Sequence, residues 1–403
     1  MREVFLLSAL VLLAQAARAD DAERLRRAVD YTLSVQQQSG LFLYDFDFLA
    51  AAPSGDDNVV RQAGTLYALG EYLLETGDPR VATALRAGLE RMRALSASTG
   101  KGRFQSALEA TGLYEIESRR LADLLHRVGL LHVPGGGALL VEGPTAGNDN
   151  AWSGATALAL IAELDYQRAT GEQRFADLRA AWFRGLLALR VPGSGVRASP
   201  VTLSRAVYFD GETWLALAHY REAFPDDAEV ERELASLEDY LLAHYGGEGR
   251  DTQFFHWGGM ASAVRQRTTK DPRYAAFAAG LAAWYLDEVP FEMKREQTTC
   301  SVIEGAASIL AALGAPPADD ALAARLRERL ARELARNRAL QIEAGQQRIE
   351  LPGGGLLVAP LLAEHAGAIL EGPYRAYTRI DLTQHCISGF QKALRIGVPS
   401  PGG

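Results

Sequence analysis

Beyond residue 19 the chain has no apolar stretch long enough to span a bilayer, which excludes a helical membrane protein. It has no basic excess either. The formal net charge is −8 at pH 7, which argues against a general nucleic-acid binder, because such proteins carry a basic footprint. A locally basic pocket is still compatible with that balance. There are only two cysteines, Cys300 and Cys386, so no disulfide framework holds the chain together; at 403 residues a hydrophobic core suffices. No Gly-rich nucleotide loop, serine nucleophile elbow or calcium loop stands out, and no organic cofactor is expected. What is present is ordinary globular composition, 48% hydrophobic and 23% charged.

Residues 1–19 read as a signal peptide. A short basic start at Met1-Arg2 is followed by an almost wholly apolar run, Val4 to Ala14, and by the small-x-small pattern Ala17-Arg18-Ala19. Cleavage after Ala19 leaves residues 20–403 as one domain, expected in the periplasm or secreted. Loss of Arg2, Arg18 and Glu3 takes the formal charge from −8 to −9.

The rest of the chain is organised by a repeat. Small-residue-rich segments recur, each with a glycine near its beginning: 58–73, 151–166, 209–222, 255–267, 299–314 and 384–396. Several are followed by a similar turn, as in TGDPR at 76–80, TGEQR at 170–174 and TKDPR at 269–273. Longer, more charged segments follow at 80–95, 174–189, 230–245, 273–286 and 321–336, and another precedes the first at 23–38. Their apolar residues fall three and four apart, the pattern of one helix face. Alanine and glycine let backbones approach closely, so the first type belongs inside. The charged type keeps a wet face outside.

Six inner and six outer helices that alternate, with irregular links, favour a closed all-α (α/α)6 toroid over an open solenoid. The links from outer to inner helix are long: 39–57, 96–150 and 341–383. Within them, 135–143 and 346–360 read as small β-hairpins, and 103–129 reads as a helical insertion. Long loops on a rigid scaffold are where function concentrates.

The alternation, with phrases such as VRQAGTLYALGEYLLETGD and YFDGETWLALAHY, resembles the six-hairpin glycosidase-like superfamily. That superfamily includes glycoside hydrolases, unsaturated glucuronyl hydrolases and sugar epimerases. The resemblance covers essentially the whole mature chain and implies a carbohydrate-active enzyme, with a poly- or oligosaccharide substrate.

In such a ring the first turns of the inner helices line the cavity. They supply Asp56, Asp57, Asn58, Arg61 and Gln62; Asn148, Asp149, Asn150 and Trp152; Tyr208, Asp210, Glu212 and Trp214; His256 and Trp257; Glu296, Cys300 and Glu304; and Arg375, Tyr377, Arg379, Asp381, Gln384, His385 and Cys386. Aromatics among carboxylates and amides suit a sugar, whose apolar face stacks while its hydroxyls hydrogen-bond. Asp57, Asn58 and Asp210 are also good N-caps, and Ser301 with Glu304 has capping-box spacing. Arg61, His256 and His385 are different: a positive group at a helix N-terminus opposes the macrodipole and needs another reason to be there.

Hydrolysis needs two carboxylates. Epimerisation or elimination needs a base for a carbon-bound proton and a cation for a carboxylate. The catalytic candidates are therefore Asp210, Glu212, His256, Glu304, Asp381 and His385. Arg61, Gln62, Trp152, Tyr208, Trp257 and Arg379 are candidates for substrate binding. Two further readings stand beside the enzyme. One is a non-catalytic glycan- or peptide-binding or assembly protein. The other is a zinc enzyme with Cys300, His385 and Cys386 as ligands, similar to lanthionine cyclases. A Cys300–Cys386 disulfide, or two buried thiols, explains the same proximity.

Overall fold

The computed structural model describes residues 19–99, 137–141, 151–191, 193–200, 202–294, 297–314, 320–351 and 354–398. The expected signal segment up to residue 18, the insertion at 103–129, and Asn148, Asp149, Asn150 and Glu296 lie outside the described residues.

The repeat resolves into α-helices of two kinds. The inner kind comprises α2 (Val59–Thr76), α4 (Ser153–Thr170), α6 (Val207–Ala223), α8 (Thr252–Thr269), α10 (Cys300–Leu313) and α12 (Ile380–Ile396). The outer kind comprises α1 (19–34), α3 (Pro79–Ala94), α5 (Ala176–Ala188), α7 (Ala228–Gly246), α9 (Pro272–Glu288) and α11 (Asp320–Arg338). Helix α1 starts four residues before the expected 23 and ends at 34, because the chain turns there into a segment where Gly40 has φ 86°.

Burial separates the two kinds. Every residue of α4 from Ser153 to Tyr166 is buried, and so is every residue of α2 from Gln62 to Leu73. Helix α3 buries only Val81, Ala84, Leu85, Gly88, Leu89 and Met92, one stripe of its surface.

The recurring turn has a local chemistry. Gly77 ends α2 at φ 67°, the left-handed conformation that glycine adopts without strain. Asp78 then caps α3 by accepting from Arg80 N, and Pro79 takes the first helical position, where no N–H is needed. Between α8 and α9 the same work is done by Asp271 and Pro272, with Lys270 at φ 59°.

The chain divides into two compact units. The terminal unit takes residues up to Gln36, Phe42–Gly55 and Arg265 onward; the central unit takes Gln37–Leu41 and Asp56–Val264. In the central unit a Cβ on Gly70 of α2 would lie 3.2 Å from Asp165 Cβ of α4, so these two helices meet closely. In the terminal unit a Cβ on Gly389 of α12 would stand 3.1 Å from the Cys300 carbonyl of α10.

Most hairpins also carry a buried polar tie between their helices. Trp214 Nε1 donates to Glu238 at 2.9 Å, Arg265 to Tyr274 at 3.2 Å, and Thr299 at the start of α10 to Glu333 at 2.6 Å. Arg179 donates to Glu163 at 2.9 Å. Burial pushes the Glu163 carboxyl up, and the Arg179 charge offsets only part of that.

Among the described residues, strands occur only in the links between helices. Strands β1 (Asp45–Asp47), β8 (Leu370–Gly372) and β9 (Arg375–Arg379) form an antiparallel sheet in the order β1-β9-β8, with Asp45 opposite Arg379. Strands β6 (Arg348–Leu351) and β7 (Gly355–Val358) form the hairpin expected at 346–360. The hairpin expected at 135–143 is corrected: β3 (Gly137–Leu140) pairs with β2 (Ser96–Thr99), directly after α3. Alternation marks a strand without naming its partner. Strands β4 (Arg197–Ser199) and β5 (Thr202–Arg205) form one more pair.

His365 sits in an aromatic cage in the terminal unit. Its ring lies 4.4 Å from Phe46, 5.2 Å from Phe48 and 5.7 Å from Tyr31. Burial holds its pKa below the usual imidazole value, so the folded protein keeps it neutral. The depressed pKa contributes stability above the unfolded value of about 6.5 and loses it as pH falls toward the lower folded value. The melting temperature is therefore expected to drop from about pH 7 to about pH 5, and H365F is expected to flatten that limb. A parallel slope in the variant would remove His365 as the cause.

Candidate functional site

Polar side chains stand near the starts of several inner helices, and they are used in different ways. In the terminal unit, Glu304 of α10 and His385 of α12 meet: His385 Nδ1 lies 2.7 Å from Glu304 Oε2. The Glu304 side chain is wholly buried, whereas that of His385 is 23% exposed. Glu304 is not a capping-box member. Helix α10 begins at Cys300 after Thr299, and Glu304 is turned into the core instead of back toward Ser301. Its other oxygen, Oε1, is buried with no hydrogen-bond partner among the described residues. A carboxylate against Nδ1 fixes the tautomer with the proton on Nδ1, so Nε2 is the nitrogen for acid–base work.

Arg379 and Asp381 flank the start of α12 and are bound to each other. Arg379 Nε donates to Oδ1 at 2.6 Å and a terminal nitrogen donates to Oδ2 at 3.0 Å. Burial opposes the Arg379 charge, but the Asp381 hydrogen bonds and charge outweigh it and hold the guanidinium above its usual range. Tyr377 donates to Asp45 at 2.8 Å, and Asp45 also receives the Ser54 N–H at 2.9 Å and its hydroxyl at 2.7 Å. Nothing in the local sequence marks Asp45 as that acceptor.

Cys300 and Cys386 form a disulfide, with their Cα atoms 4.8 Å apart. The zinc alternative built on Cys300, His385 and Cys386 is corrected on that ground: sulfurs bonded to each other offer no thiolate to a metal.

In the central unit Asn58 caps α2 by accepting from Arg61 N, and Gln62, buried, donates to Asp57 at 2.8 Å. Trp152 precedes α4 and stands 6.0 Å from Phe209. Helix α6 begins at Val207, so Asp210 and Glu212 both lie inside it; two residues apart, they diverge. Glu212 packs against Gly154 of α4, where a Cβ would collide with its carboxylate.

Asp210 is completely buried and takes hydrogen bonds from Val196 N at 2.7 Å, Arg205 at 2.8 Å and Tyr245 at 2.8 Å. Gly195 is required beside it, since any Cβ there would strike the carboxylate. Three donors on a fully buried carboxylate describe a structural anchor. Arg205 and Tyr245, which the sequence reading missed, complete that anchor from 5 and 35 residues away.

Trp257 is buried, with its ring 6.1 Å from Tyr67, and His256 is buried 4.5 Å from Trp257. Tyr208 is 43% exposed. Its phenol is pushed up by burial and then by the charges of Asp251 and Glu212, with Arg61 working the other way. Those four groups thus share one field.

No family model matches the chain, and no curated protein matches its sequence. Solved structures do resemble it. A family 76 glycoside hydrolase (mannosidase) of Bacteroides thetaiotaomicron is 12% identical over 94% of this chain and 98% of its own, with a TM-score of 0.59. A sugar epimerase from a ruminal bacterium is 11% identical over 94% and 99%, with a TM-score of 0.58. A D-mannose isomerase is 10% identical over 94% and 98%, with a TM-score of 0.57. These likenesses show the fold alone, the all-α (α/α)6 architecture expected from the repeat.

Proposed function

We propose that the chain is a carbohydrate-active enzyme that moves a proton on a sugar carbon, as an epimerase or isomerase, with His385 as the acid–base group and Glu304 as its partner. The observation that carries this reading is the 2.7 Å contact between His385 Nδ1 and the buried Glu304. A carboxylate behind an imidazole orients the ring, fixes its tautomer and stabilises the charge that appears when Nε2 takes a proton. The proton α to the carbonyl of an open-chain aldose, on C2, is the chemically accessible one. Its removal and return on the other face inverts the carbon; its return at C1 gives the ketose.

Two-carboxylate hydrolysis has less support. Asp210 is held by three internal donors and Asp381 by Arg379, so neither is placed to exchange a proton with a leaving group. The resembling structures include a sugar epimerase and an isomerase as well as a hydrolase, and the fold accommodates either chemistry. In the central unit, Arg61, Trp152 and Tyr208 keep part of their surface exposed at helix starts and are proposed as sugar contacts. Export is proposed from residues 1–19, and the disulfide fits an oxidising compartment. No helix among the described residues is long and apolar enough to cross a membrane.

The test is incubation with reducing monosaccharides, mannose first, in deuterium oxide, followed by NMR. Deuterium entering C2 with a new epimer or ketose is the expected outcome. Release of reducing ends from a mannan, with no exchange into any free sugar, would move the assignment to hydrolysis.

A further inference from the structure

Cys300 and Glu304 are four residues apart on α10, about one helical turn, and Cys386 directly follows His385 on α12. The disulfide therefore ties the two helices beside the point where the carboxylate meets the imidazole. It does so across 86 residues of sequence, so no local element could substitute for it.

Other contacts hold each helix start from its outer side. Thr299, ahead of α10, donates its N–H to Asn337 Oδ1 at 2.9 Å and its hydroxyl to Glu333 at 2.6 Å, both on α11. The first residue of α12, Ile380, donates its N–H to the Tyr44 carbonyl at 2.9 Å. Between the two helix starts themselves the disulfide is a direct covalent link, and Gly389 permits the close approach by leaving the Cys300 carbonyl room against α12.

We propose that Cys300 and Cys386 are positioning residues whose disulfide sets the register of the Glu304–His385 pair, so that the enzyme works fully only in its oxidised form. The inference rests on the acid–base reading of that pair. Opening the bond takes two electrons and two protons, which a dithiol supplies while closing to its own cyclic disulfide; the products here are two thiols. Both sulfurs are buried, Cys300 at 1% exposure and Cys386 at 0%. A reductant reaches them only when the helix starts part, and the folded enzyme is expected to resist mild reduction.

The experiment compares the full chain with C300A/C386A by long-range 1H–15N NMR of the histidine imidazoles and by steady-state kinetics. C300V/C386A, which keeps more of the buried volume, is measured alongside in case the double alanine folds poorly. A lower melting temperature is expected in both, because the bond closes a long loop. That alone is a structural effect. Positioning predicts more: His385 loses its single Nδ1–H tautomer signature, and kcat falls by about 10- to 100-fold with KM little changed. Variants that melt lower yet keep both the imidazole signature and kcat overturn the inference. If H385A itself retains turnover, the acid–base reading falls, while the imidazole signature still decides whether the disulfide sets the pair.

Discussion

Replacing His385 with alanine is expected to lower turnover about 10²- to 10⁴-fold, the range for loss of one positioned acid–base group. That corresponds to roughly 3–5 kcal/mol of transition-state stabilisation. Glu304→Gln is expected to fall within the same range, at its smaller end. An amide can still accept from Nδ1–H but cannot balance an imidazolium. KM should change little in either variant, because the pair acts on the proton and not on the bulk of the sugar.

Stability should separate the two variants. H385A leaves a buried carboxylate whose Oε2 has lost its partner and whose Oε1 has none among the described residues. Such an uncompensated charge costs about 3–5 kcal/mol. E304Q removes the buried charge and should melt at or above the wild-type temperature while losing activity. Stability and activity moving apart in this way marks a functional group rather than a structural one. Wild-type turnover in both variants would sink the assignment.

The second large effect lies at Asp210, and here stability carries it. D210A is expected to destabilise the fold by about 3–5 kcal/mol, because Arg205, Tyr245 and the Val196 N–H lose one shared acceptor. D210N keeps an acceptor oxygen, and Arg205, with 30% of its side chain exposed, can turn to water. It should lose less. Chemical denaturation of both measures this. Folded D210N, assayed well below its melting temperature, is expected to keep turnover within about 10-fold of wild type, since Asp210 holds protein groups and not a substrate. A loss as deep as that of H385A in a fully folded D210N would return Asp210 to the catalytic set.

The contrast between Asp210 and Glu304 explains what the sequence could and could not tell. Both are acidic residues near the starts of small-residue helices, and from sequence both suit capping, anchoring or catalysis equally well. Asp210 is committed by a tyrosine 35 residues away and by a neighbouring loop. Glu304 is directed by a histidine 81 residues away. No periodicity or spacing encodes either partner. Arg379 and Asp381 teach the same lesson at short range: two candidates from different lists turn out to be bonded to each other. The cysteines came nearer to legibility, because both fell at helix starts, yet the same placement fitted a metal.

By itself the sequence determined the helices, their two kinds and the turns between them, because those depend on local chemistry: three- and four-residue apolar spacing, glycine at a helix end, aspartate as a cap, proline at the first position. Only the tertiary structure decided the fate of each polar residue, since burial and pairing are set by which helix packs against which. That is why Glu304 lies against His385, while Asp210, similar in sequence context, takes its hydrogen bonds from Arg205, Tyr245 and the Val196 N–H.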